Sequence, residues 1–159
     1  ALSLPVYLVI AFADLSFLQV GVAHVSYTAM AAAGLDAAQS GPNIIVGQGN
    51  PTQQPFEFTI SEDSTGWKSM LFFSALVIAV PAAVPRKRLI AILIGVPVIF
   101  FANISRVLGI VLVERSYGVQ AALIAHDYLW RFGLLALVLC MWLVWLRSAT
   151  PKHYSKHSK

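Results

Sequence analysis

Long apolar stretches dominate this sequence, and polar side chains interrupt them at few positions. Four such stretches cover residues 1–35, 69–85, 89–113 and 116–146. Each is about long enough for an α-helix to cross the ~30 Å hydrocarbon core of a bilayer. A helix also satisfies its backbone hydrogen bonds internally, as lipid requires. The pattern therefore predicts an all-α polytopic membrane protein with about four transmembrane helices, over about 4–34, 68–85, 88–114 and 119–147.

The balance of residue types agrees with this class. Hydrophobic residues make up 58% of the chain and charged residues 11%, far from the composition of a water-soluble domain. The net charge of +4 comes from basic residues at 86–88 and in the tail from Arg147. Such placement is typical of cytoplasmic loops and not of a nucleic-acid-binding surface. The single Cys140 excludes a disulfide framework and a cysteine-based metal site within one chain, and we expect no cofactor.

Orientation follows from the two basic segments. If both face the cytoplasm, the helices alternate consistently, both termini lie inside, and residues 36–67 form an outer loop. That loop contains "NIIVGQ" and "FEFTIS" around the turn-forming "GNPTQQP", which predicts a small β-hairpin on the membrane surface. We expect one membrane-embedded domain over 1–159. The first stretch lacks a basic start and a short cleavable pattern, so we expect a span and not a signal peptide; without an initiator Met, the chain could be a processed form or a fragment.

Arg106 is the only charged residue of the third stretch. A charge inside a membrane helix costs at least ~2.5 kcal/mol, so Arg106 needs a partner within the bundle or a wet cavity. Asn103 precedes it by one helical turn and shares its face, which predicts an inward-facing polar stripe. The alternative is a structural ion pair with Asp14 or Glu114.

Two further polar residues approach the same layer. Ser64 lies in "EDSTGWKSM", just before the second helix, and His126 lies near the outer end of the fourth. Each has a plain alternative, because serine is a good helix cap and histidine is common at interfaces. His24 is a rival of similar depth. We expect Ser64, Arg106 and His126 to line one outward-facing pocket.

Three segments, "STGWKS" at 64–69, "NISR" at 103–106 and "AHDYLW" at 125–130, resemble the signature blocks of the exosortase and archaeosortase family in order and spacing. The resemblance covers roughly 41–146. It implies a prokaryotic transpeptidase of the plasma membrane with its active site on the extracytoplasmic side. Members of this family cut proteins at a C-terminal sorting signal and pass the new end to an acceptor. The implied partners are the sorting-signal segment and the lipid bilayer, with a lipid as a candidate acceptor.

The resemblance also implies roles for individual residues. The residue at position 64 would attack the substrate carbonyl, His126 would move the proton, and Arg106 would stabilise the developing oxyanion. Asn103 and Gly66 would support them. Asp127 and Arg131 are four residues apart and are expected to pair along the helix. Arg131 is also a lesser catalytic candidate, because some archaeal members use an arginine in place of the histidine.

The chain departs from the family at the nucleophile, where Ser64 replaces a cysteine. A hydroxyl is a weak nucleophile unless a base takes its proton, whereas a thiol is partly ionised near neutral pH. Ser64 could be an engineered substitution, a natural serine nucleophile or the mark of an inactive relative. With Ser64 in place, we expect little or no turnover.

Two other classes of function stay open. A non-catalytic membrane partner or pseudoenzyme needs no convergence of the polar residues. A transporter or channel needs a polar path across the whole bilayer, but the polar residues concentrate in the outer half of the third and fourth helices, with Asp14 the main exception. For Trp130, Trp142 and Trp145, packing at the lipid interface is the favoured interpretation.

Overall fold

The computed structural model describes residues 15–47, 55–81, 84–128 and 132–149. These ranges contain five α-helices, three strands and one 3₁₀ turn. In order from the N-terminus they are α1 Ser16–Ala32, β1 Ala37–Ser40, β2 Asn43–Val46, β3 Phe56–Thr59, the 3₁₀ turn Glu62–Thr65, α2 Trp67–Ala79, α3 Pro85–Tyr117, α4 Val119–Tyr128 and α5 Leu134–Ala149. The chain divides into two compact units, Ala1–Thr65 and Gly66–Lys159. Each unit is described by itself.

The first unit is an antiparallel sheet, in the order β1-β2-β3, packed against α1. Strand β2 is central, and its Ile44 and Val46 point into a core that also contains Met30 of α1. The pairing of β2 with β3 matches the hairpin predicted from the sequence. The additional strand β1 was not predicted, because "AAQS" lacks the β-branched and aromatic residues that favour strands. A tight turn at Gly41, with φ of 59°, folds β1 back onto β2.

The second unit is built around α3, which is 33 residues long and therefore spans ~50 Å at 1.5 Å per residue. Among the described residues, α3 is the helix that is both long and apolar enough to cross a bilayer. The apolar helices α2 and α5 are shorter, with 13 and 16 residues. One membrane span is therefore clear in the structure, and the set of four stays a prediction.

The helix bounds differ from the predicted ones for local reasons. Helix α2 ends at Ala79 instead of 85, with Val80 extended, because a proline at the next position disfavours the helical conformation. The predicted helix over 119–147 is described as α4 and α5, on either side of residues 129–131, which lie outside the described part together with residues 1–14. Helix α3 ends at Tyr117. The next residue, Gly118, has a φ of 81° and donates its N–H to the Glu114 carbonyl at 2.7 Å.

Helices α2, α3 and α5 share one apolar core, formed by Phe73, Val77, Ala91, Ile99 and Val138. Gly95 of α3 makes room for Phe73, because a Cβ atom at Gly95 would run into the phenyl ring. Trp142 of α5 donates its indole N–H to the Leu76 carbonyl of α2 at 3.2 Å. That carbonyl lies in the last turn of α2, where no helical N–H remains to pair with it. Trp142 thus joins α5 to α2.

The outer surface of the second unit is apolar as well. Leu89, Leu93 and Phe101 of α3 are between 58% and 64% exposed. A helix that is apolar both toward its neighbours and away from them is typical of a membrane span. The burial pattern therefore supports the membrane class that the composition predicts.

Candidate functional site

Ser64 lies in the 3₁₀ turn that follows β3. Its backbone N–H donates to the Ser61 carbonyl at 2.9 Å, and the two hydroxyl oxygens of Ser61 and Ser64 are 2.9 Å apart. The next residue, Thr65, is buried and donates its hydroxyl to the Glu62 carbonyl at 2.7 Å. This turn packs against α1. The turn therefore holds the backbone at Ser64. The Ser64 hydroxyl has a neighbour, Ser61, that lies outside the motif block 64–69.

The start of α2 answers whether Ser64 caps this helix. Helix α2 begins at Trp67, and its N-cap residue is Gly66, in the left-handed conformation with φ of 80°. Ser64 is two residues earlier, inside the preceding turn. Ser64 is therefore not the N-cap residue of α2.

Gly66 lies directly against Asn103 in the second unit. A Cβ atom built on Gly66 would lie 3.1 Å from Cγ and 3.3 Å from Cβ of Asn103. Position 66 thus favours glycine for two independent reasons, the positive φ and the close approach of the asparagine. The glycine of the first motif block and the asparagine of the second are neighbours in space.

Asn103 and Arg106 continue the buried face of α3. Asn103 is 0% exposed and Arg106 is 7% exposed, and the buried Ile99 and Val107 lie on either side of them along the helix. This burial agrees with the inward-facing stripe expected from the sequence. A guanidinium enclosed in an apolar helix bundle is expensive to maintain and usually marks function.

His126 lies on α4, which packs against α3. Its Nδ1 atom is 3.6 Å from the Asp127 carboxylate, and the two side chains are 39% and 69% exposed. A carboxylate beside an imidazole ring can orient the ring. The expected pairing of Asp127 with Arg131 falls outside the described residues, because Arg131 is not among them.

The rival histidine has a structural neighbour. His24 Nδ1 lies 3.2 Å from the side-chain oxygen of Gln39 on β1, and this contact links α1 to the sheet of the first unit. Within the second unit, Asn103 and Arg106 share the buried face of α3, and Gly66 contacts Asn103. Because Ser64 belongs to the first unit, a pocket shared by Ser64, Arg106 and His126 stays a prediction. In the described ranges, no group of three histidine, cysteine, aspartate or glutamate side chains could hold a metal ion.

Helix α3 is apolar and long enough to cross a bilayer, and it buries an asparagine and an arginine. These features define an integral membrane protein with a polar site in its helical core. A sequence model of the transmembrane exosortase family matches residues 1–146, which include the first unit, most of the second and all three motif blocks. The chain therefore belongs to this family. No curated protein and no solved structure matches the chain.

Proposed function

We propose that this protein has the architecture of a membrane transpeptidase that cleaves the C-terminal sorting signals of exported proteins. The observation that carries the proposal is the contact of Gly66 with Asn103, one helical turn from the buried Arg106. Position 64 is two residues from Gly66, so the chain itself keeps their Cα atoms within ~7.6 Å. The chain connectivity therefore keeps position 64 close to the glycine that contacts Asn103.

Helix geometry supports a role for His126 in the same site. His126 is eight residues after Gly118, and Arg106 is twelve residues before it, which corresponds to ~12 Å of α4 and ~18 Å of α3. If α4 folds back along α3, the two side chains differ in depth by ~6 Å, about one helical turn. The long side chain of Arg106 can cover such a difference.

The reaction that fits these groups is acyl transfer. The nucleophile at position 64 attacks the substrate carbonyl, and His126 accepts its proton and returns it to the leaving amine as the peptide bond breaks. Arg106 stabilises the negative charge on the carbonyl oxygen, and Asn103 orients Arg106 or donates a hydrogen bond itself. The acceptor then attacks the carbonyl of the resulting acyl-enzyme, the bond to the side chain at position 64 breaks, and the shortened substrate is released joined to the acceptor.

Ser64 itself favours a second candidate, a non-catalytic partner that binds the same substrates. Ser64 stands where the family resemblance implies a cysteine, and a serine nucleophile needs a base aligned at the moment of attack. In both candidates the Ser64 form recognises the sorting signal and turns it over slowly or not at all.

Substrate capture tests the proposed function. We expect the Ser64 protein, purified with mild detergent from its own cells, to retain exported proteins that carry a C-terminal membrane segment, because binding is intact while cleavage is slow. Mass spectrometry of the co-purified proteins is the measurement, and an Arg106→Ala variant is the control for binding at the site. Recovery of the same proteins with an unrelated membrane protein of similar size would count against it.

Topology provides a separate prediction. In a Cys140→Ala background, we expect Glu57→Cys to react with a membrane-impermeant maleimide in intact cells, because the outer loop faces away from the cytoplasm. Val84→Cys should react only after permeabilisation, since it precedes the basic cluster that the positive-inside rule keeps in the cytoplasm. Both positions are exposed in the structure. Labelling of Val84→Cys in intact cells would contradict the proposed orientation.

A further inference from the structure

A groove between α3 and α5 is separate from the candidate site. Its volume is about 590 Å³, within the ~300–1,000 Å³ of small-molecule sites, and Phe73 of α2 contributes to its wall. On α3 the lining residues run from Lys87 to Gly95, and on α5 they run from Cys140 to Ser148. Each wall therefore extends over ~12 Å of helix. We call this feature the α3–α5 groove.

The α3–α5 groove is apolar along its length and basic at one end. Ile90, Ile94, Met141 and Val144 are among its apolar walls, and Lys87 is the charged residue among the described ones that line it. Cysteine 140, also on the wall, is the single cysteine of the chain. A groove with this distribution of polarity matches a molecule with a long apolar part and an anionic head.

Among the described residues that line the groove, Lys87 is the one that offers a cation to a ligand. Arg88 donates a hydrogen bond from Nη2 to the Pro81 carbonyl at 3.1 Å. The Ser148 hydroxyl donates to the Trp145 carbonyl at 2.7 Å. Arg86 is exposed beside Lys87 but does not line the groove.

Charge separates the possible occupants. A transmembrane helix of another protein usually carries its own lysines and arginines at the cytoplasmic end, which would repel Arg86 and Lys87. A second copy of this chain would bring the same basic cluster. An anionic phospholipid offers an acyl chain to the apolar walls and a phosphate to Lys87, and basic pockets between membrane helices are known lipid head-group sites.

We propose that the α3–α5 groove is a binding site for an anionic phospholipid, with the acyl chain along Ile90, Ile94 and Val144 and the phosphate at Lys87. The site is independent of the proposed transpeptidase chemistry. It goes beyond that function because it gives the protein a structural lipid and a preference for membranes rich in anionic head groups.

The test uses the full chain, purified in detergent micelles that contain equal amounts of phosphatidylglycerol and phosphatidylcholine with identical acyl chains. The number of retained lipids of each kind is measured by native mass spectrometry. We expect several-fold more phosphatidylglycerol than phosphatidylcholine. Lys87→Gln should lower phosphatidylglycerol retention about fivefold, the effect of one cation near an anionic surface, and Val144→Trp should lower retention of both lipids because it narrows the groove.

Arg86→Gln is the matched control, since it removes the same charge one residue away and outside the groove. It should change phosphatidylglycerol retention less than twofold. Equal retention of the two lipids, or equal losses in Lys87→Gln and Arg86→Gln, would overturn the proposal in favour of diffuse surface charge. Efficient Cys140–Cys140 cross-linking in native membranes would overturn it in favour of a second copy of the chain.

Discussion

Ser64→Cys is expected to turn a slow or inactive protein into one that forms a covalent adduct with its substrate. A thiol has a pKa near 8.5, and a neighbouring cation lowers the pKa by favouring the thiolate. In the proposed site Arg106 supplies that cation and His126 accepts the proton. A serine gains little from the same surroundings, because its hydroxyl ionises only with great difficulty.

The measurement is the rate of labelling by a thiol-directed probe, together with release of the C-terminal segment from an exported substrate. Both are made in a Cys140→Ala background, because Cys140 is exposed. Adding His126→Ala should lower turnover by ~10²–10⁴-fold, the usual contribution of a general base. Adding Arg106→Ala should lower it by ~10²–10³-fold, as loss of an oxyanion donor does.

Ser61→Cys is the matched control for thiol reactivity. It places a thiol in the same segment, three residues earlier, within reach of position 64, but not at the proposed nucleophile. Its labelling should be slower and insensitive to Arg106→Ala. If the Ser64 protein turns over the substrate while Ser64→Cys does not, the natural serine-nucleophile interpretation holds. If neither form reacts, the protein is a pseudoenzyme.

Gly66→Ala is expected to lower both stability and activity. The left-handed conformation costs a non-glycine residue ~1–2 kcal/mol, and the new methyl group would press on the Asn103 side chain. Displacing Asn103 shifts the polar face of α3, and a misplacement of ~1 Å in a catalytic site can cost ~10²-fold in rate. The measurements are thermal unfolding in detergent and turnover in the Ser64→Cys background.

Gly34→Ala separates the two effects of that substitution. Gly34 also has a positive φ, 75°, but nothing lies within 4 Å of its added Cβ. It should therefore share the loss of stability from backbone strain and leave turnover unchanged. Similar losses of turnover in both variants would show that strain alone, and not the contact with Asn103, accounts for the effect of Gly66→Ala.

The sequence predicted the residues of the candidate site better than it predicted the contacts between them. Ser64, Asn103 and Arg106 were found as motif residues, and the one-turn spacing of Asn103 and Arg106 placed them on one helix face. The family resemblance placed Gly66 and Asn103 in one site, but nothing in the sequence indicated that the two residues would be in direct contact. That contact joins residues 37 positions apart and depends on how α2 crosses α3.

The apolar pattern by itself determined the membrane class, the long helix α3 and the β2–β3 hairpin, because hydrophobic length and alternation are local properties of the chain. The pattern did not determine strand β1, because "AAQS" pairs only where β2 offers an open edge. It also did not predict that α2 ends before residue 85. Tertiary structure also decided the role of Trp142, whose indole N–H pairs with Leu76 of another helix. Aromatic and small polar residues have weak local preferences, so the neighbours that fold against them decide what they do.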